Sequence, residues 1–169
     1  MLRISYSEEL VLGFSRAVQS LILGERYKEV FPWFKKFENK PFAKEKESDW
    51  ILKGKGVDIQ PSHISRTREG SVTGVRANKA IIFDDLTKGA EEATNVSIHT
   101  GIYNKWKTEW YNRRTGEQTK YIFVGTMWSP EDILNRVTED VEKFVKVVPS
   151  RVFKYVWEAE DGSAVVNIK

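Results

Sequence analysis

The chain's 169 residues, 40% hydrophobic and 30% charged, are enough to bury the core of one domain and do not have the composition of a disordered chain. A net charge of +3, from 27 basic and 24 acidic residues, is too small to predict a nucleic-acid or membrane partner by itself. The chain has no cysteine, which excludes disulfides and thiolate zinc sites, and no apolar run of the roughly 20 residues that span a membrane, so we expect a soluble, intracellular protein.

The first predicted elements are a short strand over Leu2–Ser5 and an amphipathic helix over residues 8–23. Apolar residues recur in this helix at steps of three and four, and Gly24 would end it in a left-handed conformation. The aromatic stretch 27–37 predicts a short helical turn and a packed loop. Residues 38–48 are rich in Lys and Glu and predict a solvated connection.

The remaining elements alternate between strands and helices. Strand patterns cover residues 50–52, 62–67, 80–83, 120–125, 152–157 and 164–168. One predicted helix carries a row from Ile98 to Trp110 and ends before Gly116. Another begins at about Pro130, with Ser129 as its N-cap. Buried strands that alternate with amphipathic helices predict an α/β fold, a mainly parallel sheet flanked by helices.

Two carboxylates, Asp84 and Asp85, come directly after the apolar strand that begins at Ala80. In an open parallel sheet, ligands bind beyond the carboxyl ends of the strands. The first acid can hold Mg²⁺ through its waters and the second can orient an attacking water, which is the chemistry of a Walker B element. An equally simple interpretation is that a strand-end Asp caps the helix that follows.

The segment Gly125–Asp132 follows the next predicted strand and places the hydroxyl of Thr126 at a strand end. From there the hydroxyl could sense a phosphate or the attacking water. For the two neighbouring residues the sequence favours a structural role, in which Trp128 fills the core and Ser129 caps a helix.

Three blocks, in their order and spacing, resemble the large terminase subunits of tailed bacteriophages: the glycine loop Arg68–Ala77, the strand Ile81–Asp85 and the stretch Tyr121–Leu134. Weaker similarity lies at Ile4–Tyr6, Phe14–Arg16 and Val30–Pro32. The resemblance therefore runs from about residue 2 to residue 137, and it implies that residues 1–169 are part of the ATPase domain of a DNA-packaging motor.

The resemblance implies a RecA-like core of the ASCE P-loop ATPase type, here incomplete, that uses ATP and Mg²⁺ to drive viral DNA into an empty capsid. Asp84 then matches the Walker B magnesium ligand, Asp85 the acid that prepares the attacking water, and Thr126 the motif that couples hydrolysis to movement. The family often has Glu where Asp85 stands and Arg where Met127 stands. The first departure shortens the reach of the acid by one methylene, and the second removes a charge.

The phosphate cradle of such an ATPase is a glycine loop that ends in Gly-Lys-Ser or Gly-Lys-Thr, and the 169 residues contain none. In the resembling family the cradle lies upstream of this region and a nuclease domain lies downstream. We therefore expect a fragment or a split gene product with negligible ATPase activity alone. The resemblance implies double-stranded DNA, the portal protein and the terminase small subunit as partners, a homo-oligomeric ring, no membrane, and a place in the host cytoplasm and transiently at the procapsid portal.

Two other functions stay open at this point. A metal-dependent nuclease would use Asp84 and Asp85, with Glu91 or Glu92, around two ions. A non-enzymatic DNA-binding or assembly module would use the fold without turnover. The cations at 105, 107, 113 and 114 interleave with aromatic residues and could bind DNA, although an amphipathic helix with buried aromatics explains the same pattern.

Overall fold

The computed structural model describes residues 1–37, 40–54, 60–144, 155–158 and 164–167. One sheet contains six strands: β1 (Leu2–Ser5), β2 (Phe42–Glu45), β3 (Asp49–Leu52), β4 (His63–Thr67), β5 (Ala80–Asp84) and β6 (Lys120–Val124). Their order is β2–β3–β4–β1–β5–β6. The last four run parallel to one another, whereas β2 and β3 extend the sheet in antiparallel fashion. The predicted α/β architecture with a mainly parallel sheet is confirmed.

In the described ranges, five α-helices accompany the sheet: α1 (Glu8–Leu23), α2 (Glu25–Val30), α3 (Gly89–Ala93), α4 (Val96–Lys105) and α5 (Ile133–Phe144). A 3₁₀ segment follows α2 at Pro32–Phe37. After α4, the chain continues as a π-helical turn, Trp106–Trp110, and a short 3₁₀ turn, Tyr111–Arg113. The strands β7 (Tyr155–Glu158) and β8 (Ala164–Asn167) pair antiparallel as a separate two-stranded sheet. Residues 152–154 and 168, also predicted as strand, lie outside the described residues.

The two faces of the sheet are covered by different helices. On one face α1 packs across β4 and β1, where the Ser65 hydroxyl donates to the carbonyl of Val11 at 3.2 Å. On the other face α4 and the π-helical turn cover β1 and β5. Alternation along the strands sends Leu2 and Ile4 to this second face with Phe83, because successive side chains of a strand point to opposite sides. The main apolar core therefore lies between the sheet and α4.

Several local predictions are wrong. Gly24 ends α1 with φ −67°, an extended conformation, while its N–H bonds the carbonyls of Leu21 and Ser20. The connection predicted over residues 38–48 contains β2, because Phe42 is buried against Trp50 in a smaller aromatic cluster.

The strand β6 and the helix after it also differ from the prediction. The side chains of Ile122 and Val124 are 42% and 52% exposed, because α1 does not extend over this part of the sheet. The final helix begins at Ile133 rather than at Pro130, and its N-cap is Asp132, whose carboxylate accepts from the N–H of Leu134. Over the described ranges, no helix is both long enough and apolar enough to cross a membrane.

Candidate functional site

The carboxyl ends of β5 and β6 lie side by side, with Asp84 in register with Val124. The next residue, Asp85, is bound to both neighbouring strands through its backbone. Its N–H donates to the carbonyl of Val124 at 2.9 Å, and its own carbonyl accepts from the N–H of Tyr6 at 3.1 Å. Parallel pairing therefore fixes the start of the loop after β5 at a point where three strands end.

Asp85 and Gly125 approach each other closely. Asp85 has φ 43°, in the left-handed region that residues other than glycine seldom occupy and that Asp tolerates better than most. A methyl group on Gly125 would lie 3.2 Å from Oδ1 of Asp85, so the glycine leaves room for the carboxylate. The strained backbone and the missing side chain together direct the Asp85 carboxylate toward the end of β6.

A narrow cleft lies between the loops that follow β5 and β6. Asp85 and Thr126 both line it, with Thr87, Trp128, Asp132 and Leu134. The enclosed space is about 10 Å³, room for a single water molecule. Two of the three residues predicted to act together, Asp85 and Thr126, are thus brought to one cleft.

Asp84 faces the opposite side of the sheet. Its carboxylate forms an ion pair with the guanidinium of Arg3, which lies over the ring of Phe14 in α1 at 3.3 Å. Both charged side chains are largely buried. The structure therefore places Asp84 next to the cleft in sequence but turns its side chain away from the lining formed by Asp85 and Thr126.

The two adjacent carboxylates have different electrostatic surroundings. Partial burial raises the pKa of Asp85, the negative charge of Asp84 raises it further, and the cation of Arg3 opposes the shift. A raised pKa favours the protonated acid, so Asp85 holds its proton more strongly than an ordinary aspartate does. Such a carboxylate is suited to exchanging protons with a water in the cleft.

The glutamates considered for a two-metal site lie on α3. The carboxylate of Glu92 accepts two bonds from the guanidinium of Arg68, each at 2.7 Å, and one from the N–H of Lys88 at 2.7 Å. These bonds lower the pKa of Glu92. Glu91 is exposed. In the described part of the chain, no three His, Asp or Glu side chains are grouped as a metal site.

The aromatic residues of the predicted basic segment belong to the core. Trp106 and Trp110 are buried against Phe83, whereas the cation of Lys105 bonds the carbonyl of Arg68 at 2.6 Å. The two histidines are buried in separate places. His63 stacks on Trp50 near α1, and His99 lies on α4 close to Asp132.

Three residues at this edge of the sheet were not predicted as parts of the site: Arg3, Arg68 and Asp132. Arg3 stands between apolar residues in a strand, and a charged residue within an apolar strand is a signal of a buried ion pair. Arg68 opens the glycine loop, where its N–H bonds the carbonyl of Ser5 and its side chain bonds that of Leu86. Asp132 could have been recognised as an alternative N-cap three residues after Ser129.

Scanned against protein-family models and searched against curated proteins, the sequence gives no match in either comparison.

Proposed function

We propose that this chain is part of the ATP-driven motor that packages viral DNA into procapsids, the role implied by the resemblance to large terminase subunits. One observation carries the proposal: the parallel neighbours β5 and β6 bring Asp85 and Thr126 to one cleft. Phosphoryl transfer depends on positioning and on neutralising charge, so an acid and a hydroxyl at adjoining strand ends are the residues it requires. The RecA-like classification of the sheet belongs to the same proposal.

In this proposal Asp85 orients the attacking water and Thr126 responds to the state of the nucleotide. The raised pKa and the water-sized space beside Asp85 support the first role. The exposure of Thr126 at the end of β6 supports the second. Neither residue needs to form a covalent intermediate, because both act by holding groups in place.

Asp84 is proposed to hold Mg²⁺, which would neutralise charge on the phosphates. Mg²⁺ keeps most of its waters and needs only one or two carboxylates, so a single aspartate suffices. One carboxylate oxygen of Asp84 is bound by Arg3, and the other has no hydrogen bond among the described residues. As placed, however, the Asp84 carboxylate is paired with Arg3 on the face opposite the cleft, so the proposed role requires it to leave Arg3 and turn toward Asp85.

The proposed motor needs a phosphate-binding loop from a segment other than these 169 residues. At one edge of the described sheet, β6 exposes Ile122 and Val124 and offers a place where such a segment would dock. The proposed partners are DNA, the portal protein, the small subunit and neighbouring motor subunits. The proposed location is the host cytoplasm and the procapsid portal. Both carboxylate oxygens of Glu92 are bonded by Arg68 and so are not free to hold a metal ion, which weighs against the nuclease alternative.

The first test is the DNA that flanks this reading frame, which we expect to encode a Gly-Lys-Ser or Gly-Lys-Thr loop. The purified chain alone should show no Mg²⁺-dependent ATP hydrolysis. Joined or mixed with the segment that carries the loop, it should hydrolyse ATP, and Asp85→Asn should lower kcat by at least about 100-fold because the water loses its orienting base.

The matched control is Glu91→Gln, an exposed carboxylate on α3 whose loss should leave kcat unchanged. Equal rates for the Asp85→Asn variant and the unaltered protein would contradict the proposal. DNA cleavage with Mg²⁺ but without ATP would favour the nuclease instead, and full assembly activity after both Asp84→Ala and Asp85→Ala would favour a non-enzymatic module.

A further inference from the structure

Two buried ionisable side chains face each other where α4 meets the start of α5. His99 is 1% exposed and Asp132 is 2% exposed, and Nδ1 of His99 lies 4.0 Å from Oδ2 of Asp132. This separation is too long for a hydrogen bond. Nδ1 of His99 has no hydrogen-bond partner among the described residues, although buried polar atoms seldom go without one.

The other ring nitrogen fixes the tautomer of His99. Nε2 lies 2.9 Å from the carbonyl oxygen of Ala93, which can only accept a hydrogen bond, so Nε2 carries a proton. Neutral His99 therefore presents a lone pair on Nδ1 to the carboxylate of Asp132. A second proton, taken up on Nδ1 from solvent, would turn the same contact into a charge-assisted hydrogen bond of about 2.8 Å.

Asp132 connects this contact to the candidate site. Its Oδ1 accepts from the N–H of Leu134 at 2.9 Å and so caps α5. Its N–H donates to the carbonyl of Ser129 at 3.1 Å, and the same carbonyl accepts from the side chain of Asn135 at 2.8 Å. Asp132 also lines the cleft with Thr126 and Trp128. A shift of Asp132 toward His99 would therefore pull on Ser129 and, through it, on the chain that leads back to Trp128 and Thr126.

Few charged groups compete for this contact. The Glu92 side chain on α3 is bound to Arg68, and the contact from α3 to His99 is the backbone carbonyl of Ala93. On α5, Arg136 contacts the Thr100 hydroxyl and lies over the ring of Tyr103. In the described portion of the chain, Asp132 is thus the charged group that faces the imidazole.

We propose that His99 and Asp132 form a proton-controlled latch that positions the loop 125–132 at the cleft. In this latch, a proton gained by Nδ1 closes the 4.0 Å gap between His99 and Asp132. As a means of regulating hydrolysis through Thr126 the inference rests on the proposed function, whereas the movement of the loop does not. His99 and Asp132 are positioning residues in this scheme.

Trp128, on the same loop, provides a reporter that needs no nucleotide. Its indole N–H resonance can be assigned by its loss in Trp128→Phe and followed by NMR in a pH titration of the folded protein, together with the imidazole resonances of His99. In the unaltered protein we expect the Trp128 resonance and the His99 imidazole resonances to shift with one common midpoint. A Trp128 resonance that does not follow His99 would overturn the latch.

Two variants separate the latch from simple packing. Asp132→Asn keeps an oxygen to cap α5 but removes the charge, and His99→Gln keeps an N–H for the Ala93 carbonyl but cannot gain a proton. Each should abolish the shared pH-dependent shift of Trp128, and persistence of that shift in a folded variant would contradict the inference. Should either variant fail to fold, the common midpoint in the unaltered protein decides the question alone.

Hydrolysis by the assembled motor then distinguishes the two proposals. A Trp128 shift that follows His99, together with no hydrolysis dependent on Asp85, would reject the proposed function and leave the latch standing. Hydrolysis dependent on Asp85, together with a Trp128 resonance unaffected by His99, would reject the latch alone.

Discussion

Asp85 combines two requirements in one residue. Its φ of 43° demands a residue that tolerates the left-handed region, and its carboxylate stands over Gly125 at the end of β6. Asp meets both demands because its short side chain can bond locally, whereas Glu offers longer reach but less tolerance of this backbone. The aspartate found where the resembling family often has Glu is therefore consistent with the local geometry.

Replacing Asp85 by Asn should stabilise the protein at neutral pH. The folded state binds the Asp85 proton more tightly than the unfolded chain does, so stability falls as the pH rises above the ordinary value of 3.8. Asn cannot ionise and escapes this loss. We expect a gain of less than about 1 kcal/mol at pH 7, because solvent screens this exposed side chain, and no difference at acid pH. Thermal unfolding measured across the pH range tests this.

Asp84→Asn is the matched control, with the opposite sign. It leaves the largely buried cation of Arg3 without its partner, which should cost about 1 to 3 kcal/mol at pH 7. If both variants changed the unfolding temperature in the same direction, the prediction that Asp84 stabilises the folded protein and ionised Asp85 destabilises it would be wrong.

The sequence predicted the position of Asp85 and Thr126 but not the direction in which Asp84 points. Asp85 and Thr126 each follow an apolar strand, and the parallel pairing of these two strands is enough to bring the two residues together. The orientation of Asp84 depends on Arg3, which lies on a strand about 80 residues away and becomes its neighbour only when β1 pairs with β5. The apolar neighbours of Arg3 indicate that its charge is paired, but they do not indicate which acid is its partner.

At the scale of elements, Arg68 connects the segments that follow several strands at the carboxyl edge of the sheet. Arg68 follows β4; its backbone N–H donates to the carbonyl of Ser5 at the end of β1, and its guanidinium donates to the carbonyl of Leu86 and the carboxylate of Glu92 after β5. The forked contact to Glu92 fixes α3 against this edge, since two parallel bonds restrict both position and angle. Arg68 thus braces the loops on which the candidate site is built.

Glu92→Gln should destabilise the protein by about 1 to 3 kcal/mol at pH 7, because Arg68 would lose a charged partner in a largely buried place. Bonding to Arg68 lowers the pKa of Glu92, so its contribution is present at neutral pH and is lost as acid protonates the folded state. Urea unfolding at pH 7 measures the loss. Glu91→Gln, one residue earlier on α3 and exposed, should leave the midpoint of urea unfolding unchanged. Equal effects of the two variants would show that the Arg68–Glu92 contact does not stabilise these loops.

His63 should make the contact between α1 and the sheet sensitive to acid. Burial lowers its pKa from 6.5 to about 4, so the unfolded chain takes up this proton first and stability falls as the pH drops from about 6.5 to about 4. The loss attributable to His63 should approach about 3 kcal/mol. His63→Phe, which retains stacking on Trp50, should flatten this part of the pH profile, and an unchanged profile would show that other groups cause it.

Long amphipathic elements were predictable, and their ends were less so. The helix over residues 8–23 agrees with the structure because its apolar residues repeat over four turns. The start of α5 was placed three residues early because Ser129-Pro130 and Asp132 are both acceptable helix starts, and burial of Asp132 decides between them. β2 was missed because its partner strand, rather than its own Lys-rich sequence, makes it a strand.

At the scale of the whole molecule, β6 forms one edge of the sheet and has no further partner strand among the described residues. Outer strands with apolar faces tend to pair with other chains. We expect the isolated chain to self-associate, and Val124→Lys, which places a charge on the exposed face, to weaken that association in sedimentation velocity experiments over a concentration series. Val96→Lys, on the similarly exposed start of α4, is the control and should change nothing. A chain that stays monomeric without substitution would contradict this prediction.

The fold class was predictable from alternating strand and helix patterns, whereas the order of strands was not. Trp50–Leu52 and residues 62–67 both read as short strands, but only the structure shows that β4 lies beside β1 and that β3 pairs with β4 in the opposite direction. Strand order depends on which distant segments pair, and a single sequence carries little information about such pairing.

The place of β1 in the middle of the sheet has a kinetic consequence. Leu2 pairs with Ile64 on one side and Ile81 on the other, so β1 must close loops of about 60 and 80 residues before either contact forms. No ladder joins β4 directly to β5. Deleting residues 1–5 should split the sheet into a β2–β3–β4 part and a β5–β6 part. In the complete chain, the step that limits the rate of refolding should be the one in which β1 pairs with both β4 and β5.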